Sequence, residues 1–523
     1  MSGNFLLSPS IPLRVKELKV RLLVLILLLS TASLAQGAVM MEGTTSGLGS
    51  FIAIDASGNT IIAAGISNGT GIGDFDVVLV AFKEDGRVLW EKAYGGTGRD
   101  LVSSVKVLPD GSILVAGGSA SFNGGWVFLV GEDGRIAWSR VYNTEMIYSA
   151  LPYGNGILAL SSAGEKPLLL RLDSEGLVES AYVINTSLRV VPVTMRILPG
   201  QGVYIGGIAQ SNATGSLDFW LAKVGENGEL VWERTYGFEG MDRLYDVEVD
   251  GRGVTLVGYS TLFNNETNVN LLVVRTNLDG KLLWARVVGG PREDWANAVS
   301  LLPGGKLVLG GITYSAQTPQ AWLLFMDEYG TIGESVLIGS RGIDWIRALT
   351  SLPSGGIVFA GGLNGSSLGT GSLGKSSFFL GVFKQDESFA NCHVSVQRLD
   401  FPVESVAPIT WVRSGGNPLP VSVSVRNVAP QAKTIKNGLK ALCPLENPDT
   451  TSTMTTTSHT TGTTTTKTTV ATTTATTTTT ATTTTSTIPS TTTTSKNEGW
   501  KLCGPGLLIA LPLLTLFLRR RKA

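Results

Sequence analysis

Residues 82–96 read FKEDGRVLWEKAYGG: two apolar runs separated by a polar turn that ends in Asp-Gly. Asp-Gly between alternating hydrophobic runs is a tight-hairpin signal. The frame returns as VGEDGRIAWSRVYN (130–143), VGENGELVWERTYG (224–237) and TNLDGKLLWARVVGG (276–290), with weaker copies at LDSEGLVESAYVIN (172–185) and MDEYGTIGESVLIG (326–339). Its turn glycines are Gly86, Gly134, Gly176, Gly228, Gly280 and Gly330, and Glu387 in FKQDESF stands at the seventh place. Their spacings of 48, 42, 52, 52, 50 and 57 residues match propeller blades rather than short solenoid repeats.

Each unit divides into four short strands. In the second, LVSSVKVLP is strand a, SILVAGG strand b, GWVFLVG strand c and RIAWSRVY strand d. Four residues after the anchor glycine come Trp90, Trp138, Trp232 and Trp284, replaced by Ser180 and Glu334 in the weak copies. Eight residues before it stand Val78, Trp126, Leu168, Trp220, Leu272, Trp322 and Phe379. Strand side chains alternate faces with period two, so these even offsets predict residues packed between neighbouring blades rather than a ligand box. The expected fold is all-β: a seven-bladed propeller of four-stranded blades over residues 36–389, a form whose radial repetition leaves only short sheet edges. The chain's ends can close the ring in two ways, with Ala38–Glu42 as strand d of the last blade or with Phe389–Val396 in that place. The N-terminal segment is the expected one, because the seventh unit loses its Gly and Trp.

Residues 390–446 are expected to form a small β module, since CHVSVQRL (392–399) and VSVSVRNV (421–428) alternate cleanly. So small a module is marginal alone. Cys392 and Cys443 are expected to staple it with a disulfide, which an exported location permits. Residues 447–498 follow as a stalk, nearly all Thr between Asp449 and Ser495. Such a tract cannot bury enough apolar surface to order itself, and its hydroxyls suit O-glycosylation.

The ends predict an address. Arg14, Lys16, Lys19 and Arg21 precede the run Leu22–Leu29, and Ser33 and Ala35 fit a cleavage site after Ala35, so residues 1–35 read as a signal peptide. Residues 499–523 hold the apolar run Leu507–Leu518 and the cationic stop Arg519, Arg520, Arg521 and Lys522. The body should therefore face outward, tethered to the cytoplasmic membrane. Cys503-Gly504-Pro505 with this apolar run and Arg cluster resembles the CGP-type C-terminal sorting signal of archaeal surface proteins. That resemblance implies that Cys503 is processed or lipid-modified, a plain membrane helix being the alternative. The body as a whole resembles the Gly-rich repeat propellers of archaeal and bacterial cell surfaces, and only superficially kelch repeats.

Composition removes several functions. Lys+Arg and Asp+Glu are both 41, so no basic surface supports nucleic-acid binding. The two histidines, His393 and His459, and three cysteines leave little material for a zinc site of the usual kind. No nucleophile elbow or phosphate loop is present, and neither a catalytic set nor a cofactor is expected. The nearest thing to a site is acidic: Asp100, Asp242, Asp294 and Asp344 each lie five residues after Gly95, Gly237, Gly289 and Gly339. They read as turn caps, with a ring of acids holding a cation near one channel mouth as the alternative. Sequons at Asn68, Asn212, Asn265 and Asn364 fall in b-to-c loops and Asn185 in a d-to-a connection, which antiparallel strand direction puts on one face with the four acids.

The expected function is a noncatalytic display or adhesion surface for a glycan or protein of the envelope. The alternatives are a secreted propeller enzyme acting on polysaccharide or using a quinone-type cofactor, and a structural envelope component.

Overall fold

In a computed structural model the chain folds as a seven-bladed β-propeller. The structure describes residues 39–43, then 49–383 apart from 213, 262–268, 340–341 and 365–375, and then 395–441 apart from 399–402, 407 and 436–438. Blade 2 is typical, with strands a Asp100–Val107, b Ile113–Ser119, c Gly124–Val130 and d Ile136–Tyr142. The a strands of neighbouring blades touch around the ring, from Gly49–Ser57 of blade 1 to Ile343–Ser351 of blade 7, so strand a lines the central channel.

The ring closes with the N-terminal strand. Val39–Gly43 is strand d of blade 7, antiparallel to strand c Ser376–Phe383, with Val39 opposite Val382 and Glu42 opposite Phe379. Of the alternative segment Phe389–Val396 only Ser395 and Val396 are among the described residues, and they pair with blade 6.

The separate module expected over 390–446 is not what forms. The described strands of this segment each join a different blade as a fifth, outermost strand. Ser395–Arg398 pairs with blade 6, Val403–Ser405 with blade 5, Ile409–Gly416 with blade 4, Leu419–Pro420 with blade 3, Val425–Asn427 with blade 2, Gln431–Thr434 with blade 1, and Leu439–Ala441 with Val39–Gly43 of blade 7. The segment is a belt that circles the ring in the reverse of blade order. Its physical reason is edge chemistry: every strand d would otherwise present unpaired N–H and C=O groups, and the belt supplies partners to all seven. Belt side chains also plug the gaps between blades, with Val406, Val423, Val425, Val428 and Ile435 packed against interblade cores. Among the described residues no helix is long and apolar enough to cross a membrane, and residues 442–523 lie outside the described part.

Blade-to-blade packing explains why the turn glycine and the tryptophan occur together. Gly134, Gly176, Gly280 and Gly330 all have φ between 71° and 80°. A Cβ on Gly176 would lie 2.7 Å from Trp138 of the preceding blade, and one on Gly330 2.9 Å from Trp284. Trp138 Nε1 donates to Ser174 O at 3.1 Å, Trp90 Nε1 to Glu132 O at 2.6 Å, and Trp284 Nε1 to Glu328 O at 2.8 Å. A tyrosine four residues after the Trp completes the clamp: Tyr94 Oη donates to Gly134 O and Tyr142 Oη to Gly176 O, both at 2.7 Å. Burial pushes both hydroxyls well above their ordinary pKa. The packing role expected for these tryptophans is the one they have.

Candidate binding site at the channel mouth

Three of the four acids, Asp100, Asp242 and Asp294, are capping groups. Asp100, Asp242, Asp294 and Asp344 are each fully buried at the start of a strand a or one residue inside it. Gly96 N–H donates to Asp100 Oδ2 at 2.7 Å, Phe238 N–H to Asp242 Oδ2 at 2.6 Å, and Gly290 N–H to Asp294 Oδ2 at 2.7 Å. Each therefore folds the preceding d-to-a turn back onto its own strand. The four sit in different blades, and among the described residues no three His, Cys, Asp or Glu side chains converge in a way that could hold a metal.

Two of these acids have a second carboxylate close by. A Cβ on Gly95 would overlap both Asp76 and Asp100, and one on Gly237 both Asp218 and Asp242, so each glycine is the gap that lets two carboxyl groups approach. Burial raises Asp218 to about 6, and burial with the neighbouring Asp218 charge raises Asp242 to about 7. In blades 6 and 7 the partner is the neutral Asn270 or Gln320. The sequon threonines serve this network too. Thr70 donates to Asp76, and Thr214 Oγ1 to Asp218 Oδ1 at 2.9 Å.

Strand direction puts b-to-c loops and d-to-a connections on one face. Asn68 and Asn212 are exposed in b-to-c loops, Asn364 ends strand b of blade 7, and Asn185 lies in a d-to-a connection, so these four share that face. Asn265, Cys392, His393, Cys443, His459 and Cys503 lie outside the described residues.

The same face opens on the channel, and there the structure assembles a site that repeat reading missed. Strand a carries a β-bulge at one recurring place, between Val102 and Ser104, Leu244 and Asp246, Ala296 and Ala298, and Ile346 and Ala348. A bulge re-aims a side chain. The bulged residues in blades 5, 6 and 7 are Tyr245, Asn297 and Arg347. Arg347 Nη1 donates to Asn297 Oδ1 at 3.1 Å, and its guanidinium lies 5.3 Å from the ring centre of Tyr245, two blades away. Only the channel separates inner strands of non-adjacent blades, so these side chains meet within it. Arg243, two residues before Tyr245, places its own guanidinium 5.5 Å from the same ring.

Around these arginines runs an arc of aromatic side chains. Tyr245 and Tyr259 are 5.8 Å apart, Tyr259 and Trp295 6.4 Å, and Trp295 and Tyr314 are stacked at 5.7 Å. Trp345 and Ile312 back the arc. Tyr245, Tyr259 and Tyr314 keep part of their surface in solvent. Burial pushes the Tyr259 hydroxyl up to about 12, so it stays a neutral donor. Lower in the channel, Arg196 binds Asp246 at 2.8 Å and Glu248 at 3.6 Å, while burial lifts Glu248 to about 7.

Fold and mouth together define a β-propeller with an aromatic, arginine-bearing channel entrance. No family model and no curated protein matches the chain. Among solved structures it is similar to a protein described as a 6-phosphogluconolactonase from Bacteroides fragilis, at 13% identity and TM-score 0.33, over 70% of this chain and 99% of that one. A similarly described protein from Bacteroides uniformis matches at 12% identity and TM-score 0.33, over 70% and 100%. A polysaccharide lyase matches at 9% identity and TM-score 0.37, over 66% and 99%. At such values the likeness says nothing of chemistry.

Proposed function

We propose that the protein is a tethered extracellular propeller that presents a noncatalytic binding surface to a glycan or protein of the cell envelope, with the channel mouth as its centre. The single observation that carries this reading is the bulge trio Tyr245, Asn297 and Arg347. The Trp and Tyr clamps repeat from blade to blade, as scaffold does, whereas this position holds a tyrosine, an asparagine and an arginine in three successive blades. Loops and irregular positions on a rigid scaffold commonly carry binding. Aromatic side chains with a polar edge suit sugar rings, offering an apolar face and hydrogen bonds together. The outward address rests on the signal peptide, the Thr-rich stalk and the C-terminal run, which favour the same orientation.

The test uses the full chain purified in detergent, offered a panel of glycans and solubilised envelope proteins. Binding that weakens at least about tenfold, roughly 1.4 kcal/mol, on Tyr245→Ala supports the reading. Turnover of any polymer, or quinone-dependent oxidation, would sink the noncatalytic part and move the enzyme alternative ahead.

A further inference from the structure

From the charge at the mouth we infer that its ligand is an acidic glycan, its carboxylates held by Arg243 and Arg347 and its sugar rings laid on Tyr245, Tyr259 and Tyr314; this rests on the mouth being a binding surface. Two guanidiniums lie close to a single tyrosine ring, 5.5 and 5.3 Å from its centre. Among the described residues neither has an acid of its own. Arg347 bonds the neutral Asn297 amide oxygen, and Arg243, whose Nε is buried without a hydrogen-bond partner, bonds the neutral Tyr259 hydroxyl. Asp246, the carboxylate whose charge reaches Arg347, is already taken by Arg196 Nη2 at 2.8 Å and by the N–H groups of Val247 and Val299 at 2.8 and 3.1 Å.

Elsewhere in the channel the chain matches its charges. Lys106 meets Asp55 at 2.9 Å, and Arg196 meets Asp246 and Glu248. At the mouth, by contrast, two guanidiniums lie near one another with no carboxylate bonded to either among the described residues. Burial lowers the Arg347 pKa, with the neighbouring Arg243 charge adding to the effect, although Tyr245 and Asp246 oppose it. Such a pair costs folding energy unless an anion joins it. Guanidinium recognises carboxylate by its planar donor fork, and half-exposed aromatic rings accept the apolar faces of pyranoses. A free inorganic anion would use the arginines and leave the aromatic arc idle, so an acid carried on sugar rings is the better fit.

The experiment titrates the full chain in detergent with polygalacturonate oligomers, their methyl-esterified form, a neutral mannan and dextran sulfate. Expected is binding of the free acid, at least about tenfold weaker for Arg243→Ala, for Arg347→Ala and for the methyl ester, and weakened by salt. Arg243→Lys should recover part of the loss, and equal melting temperatures of all variants show that each is folded. Binding of the mannan alone, lost on Tyr245→Ala and unchanged in the arginine variants, overturns the acidic class and leaves the mouth as a binding surface. Tighter binding of dextran sulfate than of the uronate overturns the carboxylate assignment. Binding of none of the four overturns this inference outright, and the wider panel then decides whether the mouth binds anything else.

Discussion

Arg413 on the belt donates from Nη1 to Glu233 Oε1 at 3.1 Å, and Glu233, on strand d of blade 4, is wholly shielded from solvent. The other Glu233 oxygen accepts Trp220 Nε1 at 2.9 Å and the Thr186 hydroxyl at 2.5 Å. One belt residue thus neutralises a charge inside the propeller. Removing it strands that charge, a loss of about 3–5 kcal/mol for buried pairs. Arg413→Ala should lower the melting temperature markedly, and adding Glu233→Gln should restore much of it, since the amide still accepts from Trp220. A double variant no more stable than Arg413→Ala would mean that lost packing, not stranded charge, is responsible.

Closure by Val39–Gly43 makes a second prediction. That strand pairs on both sides, with Ser376–Phe383 and with Leu439–Ala441. Deleting residues 39–43 breaks two ladders and opens the ring, so a single cooperative melt should fall by at least about 10 °C. An unchanged melt would show that another segment closes blade 7.

Glycines with similar backbones should differ in tolerance. Gly164 has φ 64° with nothing near its missing Cβ, whereas Gly176, at φ 79°, faces Trp138 at 2.7 Å. Gly164→Ala should cost only the left-handed penalty of about 1–2 kcal/mol. Gly176→Ala adds a clash and should cost about 3 kcal/mol or more. Urea midpoints compared at constant m-value read the difference, and equal losses would refute the clamp.

The Asp218–Asp242 pair sets a pH dependence. A carboxyl whose folded pKa lies above its unfolded value holds its proton more tightly in the folded protein. Its contribution is fully present below the ordinary carboxyl value of 3.8 and is lost as pH rises through about 7 for Asp242. Melting temperature should therefore fall by several degrees between about pH 5 and about pH 8. Asp242→Asn, which mimics the protonated form, should flatten that slope; a slope unchanged in the variant would place the titration elsewhere.

A Cys392–Cys443 disulfide is expected on the proposal that the protein is exported. It would join the two ends of the belt, which starts on blade 6 and finishes on the adjacent blade 7. Mass spectrometry of unreduced peptides should find the cross-link, and free thiols at both positions would refute it.

The blades were legible because a positive-φ glycine and its tryptophan recur at fixed offsets, each needed by the next blade. The acids at Asp100, Asp242, Asp294 and Asp344 were equally visible, and capping is what the hydrogen bonds of the first three perform. The belt was not legible as a belt. Its strands run from two residues, Leu419–Pro420, to eight, Ile409–Gly416, and they pair through backbone atoms with partners far away in the chain. Alternation in VSVSVRNV reports a strand and cannot name its neighbour. The mouth escaped for the opposite reason. Ser103, Tyr245, Asn297 and Arg347 occupy one structural position with four chemistries, and a search for repeats discards what does not repeat.

The belt's winding order also governs how the body would answer a pull. Tension on the chain beyond Ala441 meets first the three-residue ladder of Leu439–Ala441 on blade 7 and then the short strand on blade 1. Peeling would travel through blades 2 and 3 until it reached Ile409–Gly416, where the longest ladder and the Arg413–Glu233 pair resist together. The outer wrap can therefore unreel as a shock absorber, paying out about 3.3 Å per freed residue while the four inner strands of every blade keep the channel mouth in shape.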